Sequence, residues 1–434
     1  MKSKLLLTAL ASMAVVCLFV SGQTTHAEDK TTEAETKKKA EKMAEWSELR
    51  DGLDDAFEEL QKDAEIKPSR LADDNVFLRR LYLDLIGRPP TPEEIDAFKP
   101  GRKNAGKLKG QAKREWMIDQ LLKSPEYNAH WGRHWAVLCN GRNGNVNYLR
   151  LLTQHFADQF SKTRKFGEIV DSILTATGDT RTNKGIGYLA NFGNRKNDVA
   201  GITSKVFLGK QIQCAQCHDH PYEKWTTDDF EGMEAFFRLT STGNKGQGKN
   251  RYWTIRDRAK GPTKHHVSGG VKMKGKYLFP TYLGRVTYEF DADKTLRQSF
   301  STWMTSKDNS WFREMTVNRY MAYFMGVGFV VPVDDFNSLN EATFPKILDA
   351  MALTLAANDY DLDYLVKAIC SSQMYQRESK TTRKNRHDRA YYTHQFVRRL
   401  TPEQIMQSVE HVIGVRRFNI PDETTNGSDD SDMD

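Results

Sequence analysis

The chain is patterned for helices. Apolar residues recur at three- and four-residue spacing in one segment after another, as expected where one helix face is buried. Met43, Trp46, Leu49, Leu53, Phe57 and Leu60 mark the first face, inside a stretch (residues 28–62) rich in Ala, Glu and Lys. Phe77, Leu78, Leu81, Tyr82 and Leu85 mark a second, which Gly87 stops and Pro89-Pro90 keeps from continuing. Thr91, Pro92 and Glu94 then have the form of a capping box, with the proline in the first turn. After a Gly- and Lys-rich loop (residues 100–110), Trp116, Ile118, Leu121 and Leu122 predict another helix. Ser124-Pro125-Glu126 starts the next, through Tyr127, His130, Trp131, His134, Trp135 and Leu138. Helical patterning resumes at 148–160, 166–176 and 199–208. Thr226 to Asp229 open a helix with Phe230, Met233, Phe236 and Phe237 on one side.

The pattern changes at residue 240. Gly, Lys, Asn and Ser dominate to residue 275, and apolar periodicity fades. A loop-rich insert is expected there, followed by one short hairpin over 277–290 with Tyr282, Val286, Tyr288 and Phe290. Helical spacing returns near Leu296 with Phe300, Trp303 and Met304, then over 309–325, 344–357 and 362–370, with a last capping-box start at Thr401-Pro402-Glu403-Gln404. The expected fold is therefore mainly α: two helical domains (66–240 and 295–420) joined by a loop-rich, partly β middle segment (241–294). A charged N-terminal helix (28–65) precedes them, and an acidic tail (421–434) follows.

A length of 434 residues fits more than one domain. Lys2 and Lys4 precede an apolar run from 5 to 20, too short to span a bilayer comfortably, and Ala27 precedes a polar turn of the sequence. This reads as a secretory signal peptide (1–27), so the mature protein is expected to be exported, periplasmic or extracellular, without a later membrane span. Cleavage removes Cys17 and leaves Cys139, Cys214, Cys217 and Cys370. It also removes Lys2 and Lys4 and no acid, so the formal charge of +7 becomes +5. The charges are interspersed and read as solvated surface. Residues 381–389 hold the densest basic run (Arg383, Lys384, Arg386, Arg389), a candidate polyanion patch, although export argues against nucleic acid.

Candidate chemistry concentrates in Cys214-Ala215-Gln216-Cys217-His218-Asp219-His220-Pro221. Cys-x-x-Cys-His is the spacing of covalent c-type haem attachment. In that reading Cys214 and Cys217 form thioethers and His218 is the proximal iron ligand. The same atoms admit a local disulfide, part of a zinc site with His218 or His220, or a redox-active dithiol. Export permits a disulfide and also suits c-type haem, and argues only against a reduced dithiol. His130 and His134 lie four apart on one helical face and could bind metal or serve as a distal haem ligand, but histidines within an aromatic core or surface seam are the favoured reading, since such spacing is common by chance on helices. Met233 could supply a distal sulfur or fill core. His265-His266 and Asp334-Asp335 are further polar pairs, read as solvated and as a helix start or surface. The motifs of P-loop, dinucleotide, nucleophile-elbow and His-Glu-x-x-His enzymes are absent from the sequence.

Three segments together resemble a known family: 81–98 (LYLDLIGRPPTPEEIDAF), 124–135 (SPEYNAHWGRHW) and 209–225 (GKQIQCAQCHDHPYEKW). They are similar to an exported bacterial domain described from planctomycetes, a cytochrome-c-type domain of uncharacterised function. The resemblance spans about residues 73–238 and adds weight to Cys214, Cys217 and His218. Trp303 to Ser306, Val317-Asn318-Arg319 and residues 398–404 resemble the partner domain that usually follows it. The family tends to have Trp where Met321 stands and Arg where Val327 stands, and its members often continue beyond the region of Val415; a reduced or scaffold version is one implication. The sequence thus leads to an exported c-type haem protein of electron transfer, with a redox or cell-surface protein as partner. The alternative is a non-redox interaction or scaffold protein with a disulfide or structural metal corner.

Overall fold

A computed structural model describes residues 45–99, 108–142, 144–247, 252–258, 266–267, 270–273, 276–289, 291 and 293–414. The expected signal peptide, Met43, His265 and the acidic tail lie outside these residues. The fold is mainly α, as the periodicity predicts. Helices α1 (Trp46–Asp63), α2 (Asp74–Ile86), α3 (Pro92–Ala97), α4 (Gly110–Leu122), α5 (Pro125–Asn140), α6 (Val146–Lys162) and α7 (Phe166–Leu174) come first. Then follow α8 (Gly187–Phe192), α9 (Lys196–Thr203) and α10 (Thr227–Arg238). The last group is α11 (Leu296–Met304), α12 (Ser310–Met325), α13 (Pro345–Ala357), α14 (Leu362–Ser371), α15 (Gln373–Gln376) and α16 (Pro402–Ile413).

Local sequence chemistry sets many boundaries. The capping boxes at Thr91/Glu94, Thr226/Asp229 and Thr401/Gln404 all form, each satisfying two otherwise orphan backbone donors. Gly87 closes α2 and Gly326 closes α12 in the left-handed conformation.

The expected loop-rich insert contains more order than its composition suggests. Strand β1 (Gly178–Asp179) pairs antiparallel with β3 (Tyr252–Asp257), which pairs with β2 (Thr240–Lys245). A second small sheet joins β4 (His266–Val267), β5 (Gly270–Met273) and β6 (Lys276–Leu278). The predicted hairpin forms between β7 (Thr281–Tyr282) and β8 (Val286–Thr287).

The two helical halves share one hydrophobic core. At its centre α5 meets α12. The Trp131 ring lies flat on Tyr320, 4.9 Å between centroids and 3° from parallel, and also packs on Tyr323 and Phe324. Trp135, one turn on, packs on Phe166 and Phe207. Behind α5, Gly132 lets α6 approach closely: a Cβ there would lie 2.6 Å from the Ala157 amide nitrogen.

Histidines join this core as neutral rings. His130 Nε2–H donates to Tyr323 Oη (2.7 Å), whose hydroxyl donates to the Asp84 carbonyl (3.1 Å). Burial pushes the His130 pKa down to about 4, His134 to about 3 and His155 to about 4.

A buried ion pair locks the start of the second half. Arg297 is 1 % exposed. It forks onto Asp257 of β3 (2.9 and 2.8 Å) and donates to the carbonyls of Leu174 and Ala176. It thereby ties α11 to the end of α7 and to the small sheet.

Two outcomes follow from this packing. Arg297→Met leaves Asp257 without its partner and should cost about 3–5 kcal/mol of unfolding free energy. Adding Asp257→Leu should restore part of that loss, and urea denaturation of the single and double variants checks both. The depressed histidines make the fold acid-labile. Below about pH 6.5 the unfolded chain takes up protons that the folded chain refuses until near pH 4 or 3, so stability falls as pH drops through that window. His130→Gln should flatten the fall by up to about 1.4 kcal/mol per pH unit, read as a stability gap between the two proteins that narrows on acidification. A gap that is constant with pH would refute it.

Candidate functional site

The Cys-x-x-Cys-His segment sits at the end of an irregular helix. After Thr203, α9 widens into a π-helical turn, Ser204–Leu208, a distortion often found beside functional sites. Gly209 then ends it in the left-handed conformation, with φ +65°. A Cβ at Gly209 would lie 2.7 Å from the Phe336 ring and 3.0 Å from Met315 Sδ, so only glycine lets the chain pass here. Gln213–Gln216 form a 3₁₀ turn, and Cys217 follows it. Ala215 and Ile212 anchor the turn in the core. Cys214 and Cys217 are exposed and unpaired.

The two histidines behind the thiols differ in chemistry. His218 is exposed, and its Nδ1–H donates to the Asp219 carbonyl at 2.7 Å. That bond fixes the tautomer and leaves Nε2 with a free lone pair, the arrangement typical of metal-ligating imidazoles. His220 is oriented inversely. Its Nδ1 accepts from the backbone N–H groups of Tyr222 (3.2 Å) and Glu223 (3.0 Å), so in the neutral ring the proton is on Nε2. His220 is thus a turn-capping residue; its Nδ1 is occupied by backbone. Asp219 in turn accepts from the Thr227 amide at the start of α10.

Both flanks of the segment are fastened to the second half of the chain. The Phe336 amide donates to the Gly209 carbonyl (2.9 Å), and Lys210 Nζ donates to the Phe336 carbonyl (2.9 Å). On the other flank Glu223 accepts from the amide (3.0 Å) and hydroxyl of Ser338, and Trp225 packs edge-on against Trp311. Lys210 and Glu223 carry no signal of their own in the sequence; they become recognisable only with Phe336 and Ser338 opposite them. Tyr222 and Leu339 project from the two sides of this seam, 77 % and 81 % exposed.

The other candidate residues lie elsewhere. His130 and His134 do share one face of α5, and both line a cavity of about 330 Å³. None of the residues lining that cavity belongs to the 214–220 segment. His130 spends its Nε2–H on Tyr323, whereas His134 packs edge-on against Trp131 and Tyr323 without a hydrogen bond among the described residues. Met233 is fully buried in the core. Cys139 and Cys370 are buried, and burial raises both thiol pKa values, which makes them inert core residues. The Asp334 carboxylate faces Arg319 at 3.8 Å, while Asp335 accepts from Asn340 through its backbone carbonyl. His266 lies in β4. Among the described residues, no three His, Cys, Asp or Glu side chains group as a metal site, and no helix is long and apolar enough to cross a membrane.

The donor set at 214–218 fits a c-type haem on its proximal side. Two exposed, unpaired thiols and one imidazole with a free Nε2 are the protein groups that attachment needs. A zinc site needs three or four converging ligands, and here His220 is turned to the backbone.

Family models match both halves of the chain. Residues 52–242 match PSCyt2, described as a protein of unknown function (DUF1549). Residues 296–426 match PSD1, also described as a protein of unknown function (DUF1553). No curated protein and no solved structure matches the chain. The seam that holds the Cys-x-x-Cys-His segment is therefore the junction of these two units, and the chain belongs to the proteins that carry PSCyt2 and PSD1, domains of unknown function, in that order.

Proposed function

We propose that the protein is an exported c-type haem protein of electron transfer, working with a redox or cell-surface protein in the periplasm or outside the cell. Cys214 and Cys217 would hold the haem through their sulfurs, and His218 Nε2 would offer its lone pair to the iron. The observation that carries the reading is the His218 Nδ1–H bond to the Asp219 carbonyl beside two unpaired, solvent-facing thiols. It orients the imidazole and fixes its tautomer before any iron is present. When bound, haem supplies a reversible one-electron couple. The turn that would hold it is exposed, which suits exchange with a partner protein. The seam contacts at Lys210 and Glu223 hold the attachment turn in place.

A second reading rests on the same turn. Two exposed, unpaired thiols three residues apart can also form a local disulfide in an oxidising compartment. The protein would then be a non-redox interaction or scaffold protein with a covalently stapled corner.

A pyridine haemochrome spectrum separates the two. The full chain, expressed with its leader in a host competent for c-type maturation, should retain about one haem per chain after denaturation. Cys214→Ser with Cys217→Ser should abolish the retained band with a small change in melting temperature. His218→Ala should keep covalent haem but alter its absorption and potential. Absence of retained haem despite competent maturation defeats the proposal. Loss of two titratable thiols in the same sample, restored by reductant, would then establish the disulfide.

A further inference from the structure

A second concentration of chemistry lies away from the Cys-x-x-Cys-His turn. The cavity of about 330 Å³ beside α5 is lined by Arg133, Arg142, Arg398 and Arg399, with Glu403 as its only lining acid. An adjoining cavity of about 570 Å³ is lined by Arg386, Arg389 and His394, with no acid. Both include Gly326, and residues 396–399 run between them. Each volume is on the scale of ligand sites, roughly 300–1,000 Å³.

Two of the six arginines are already neutralised. Arg398 pairs with the buried Asp84, and Arg142 pairs with Glu403 at 3.0 Å. Arg133, Arg386, Arg389 and Arg399 have no acidic partner in an ion pair among the described residues. Arg133 is the most telling. It is half-buried on α5 between His130 and His134, and it makes no hydrogen bond among the described residues. Its guanidinium is only partly withdrawn from water, and Glu403 and Glu410 lie within electrostatic reach without forming an ion pair with it among the described residues, which leaves its donors open to an anion from outside the chain. His394 points the same way in the second cavity: it is 4 % exposed and its Nδ1 has no hydrogen-bond partner. Asp388, nearby, is turned inward and accepts from Ala390, Tyr391 and Thr393.

We infer that the two adjoining cavities form one cleft for a linear polyanion that presents an oxyanion group to each, sulfate or phosphate, on a chain other than nucleic acid. Bidentate guanidinium–oxyanion bonding is what such unpaired arginines supply. A nucleic-acid reading would need exposed rings for bases to stack on. The rings here are occupied: Tyr323 packs on Trp131, and Phe396 packs on His394 and Tyr392. The inference is independent of the haem proposal, because no lining residue is shared with the 214–220 turn.

Calorimetric titration of the full mature chain with tripolyphosphate, a fully sulfated disaccharide and a short oligothymidylate tests it. Tripolyphosphate or the sulfated disaccharide should bind, and the better of the two names the source of the oxyanion. Arg133→Gln and Arg389→Gln, one in each cavity, should each weaken binding about tenfold. Arg150→Gln and Arg256→Gln, exposed and outside both cavities, should change it about twofold or less. Arg133→Gln should also melt at the same or a higher temperature than the parent, which a structural arginine would not do. Should it fail to fold, the exposed Arg399→Gln reads the same cavity. No binding of either oxyanion compound, equal weakening by the outside variants, a response confined to one cavity, or tighter binding of the oligothymidylate would each overturn the inference.

Discussion

The position of every other element depends on the aromatic contact between α5 and α12. Trp131 lies against Tyr320 in near-parallel register, and Trp135 extends the stack to Phe166 and Phe207. Each such pair contributes about 0.5–1.5 kcal/mol beyond the area it buries. The contact joins a helix of one family unit to a helix of the other, so neither unit has a complete core alone. It also reaches the candidate site. Phe207 belongs to the π-helical turn that runs into Gly209, and Gly209 delivers the chain to the two cysteines. The aromatic core therefore sets where the thiols emerge.

Much of the helical framework was legible because its determinants are local. Thr91 with Glu94, Thr226 with Asp229 and Thr401 with Gln404 need only four consecutive residues to declare a helix start. Gly87 and Gly326 declare ends in the same way. The β2–β3 pairing was not legible. Residues 240–245 read Thr-Ser-Thr-Gly-Asn-Lys, with no apolar alternation, and their order comes from partners far along the chain. Thr242 is held by Lys196 and by the Gly193 carbonyl, and β3 is held through Asp257 by Arg297. A shared core was equally hidden, since periodicity shows which face of a helix is buried and not what buries it.

The candidate site divides along the same line. Cys214, Cys217 and His218 were legible as chemistry from spacing alone. The difference between His218 and His220 was not, because it lies in whether Nδ1 donates to a backbone carbonyl or accepts from two backbone amides. Spacing correctly put His130 and His134 on one face of α5. It could not show that Tyr323, from the other half, takes the His130 proton donor. Nor could it bring Arg133 beside Arg398 and Arg399, which are distant in sequence and meet only where α5, α12 and the start of α16 close on one cavity.

The fastening of the Cys-x-x-Cys-His turn bears on what the turn is for. Gly209 and Lys210 are bonded to Phe336 on one flank, and Glu223 to Ser338 on the other, while residues 213–219 between them stay open apart from Ala215. A local disulfide three residues apart would need no such frame, because the bond itself closes the turn. Under the haem attachment proposed above, two sulfurs and one imidazole already held by the fold would be spared about 1–2 kcal/mol per residue of backbone ordering. Here the second unit supplies that order. The coupling of PSD1 to PSCyt2 in one chain then has a physical reason: the second unit completes the first unit's core at Trp131 and braces its reactive turn at Phe336 and Ser338.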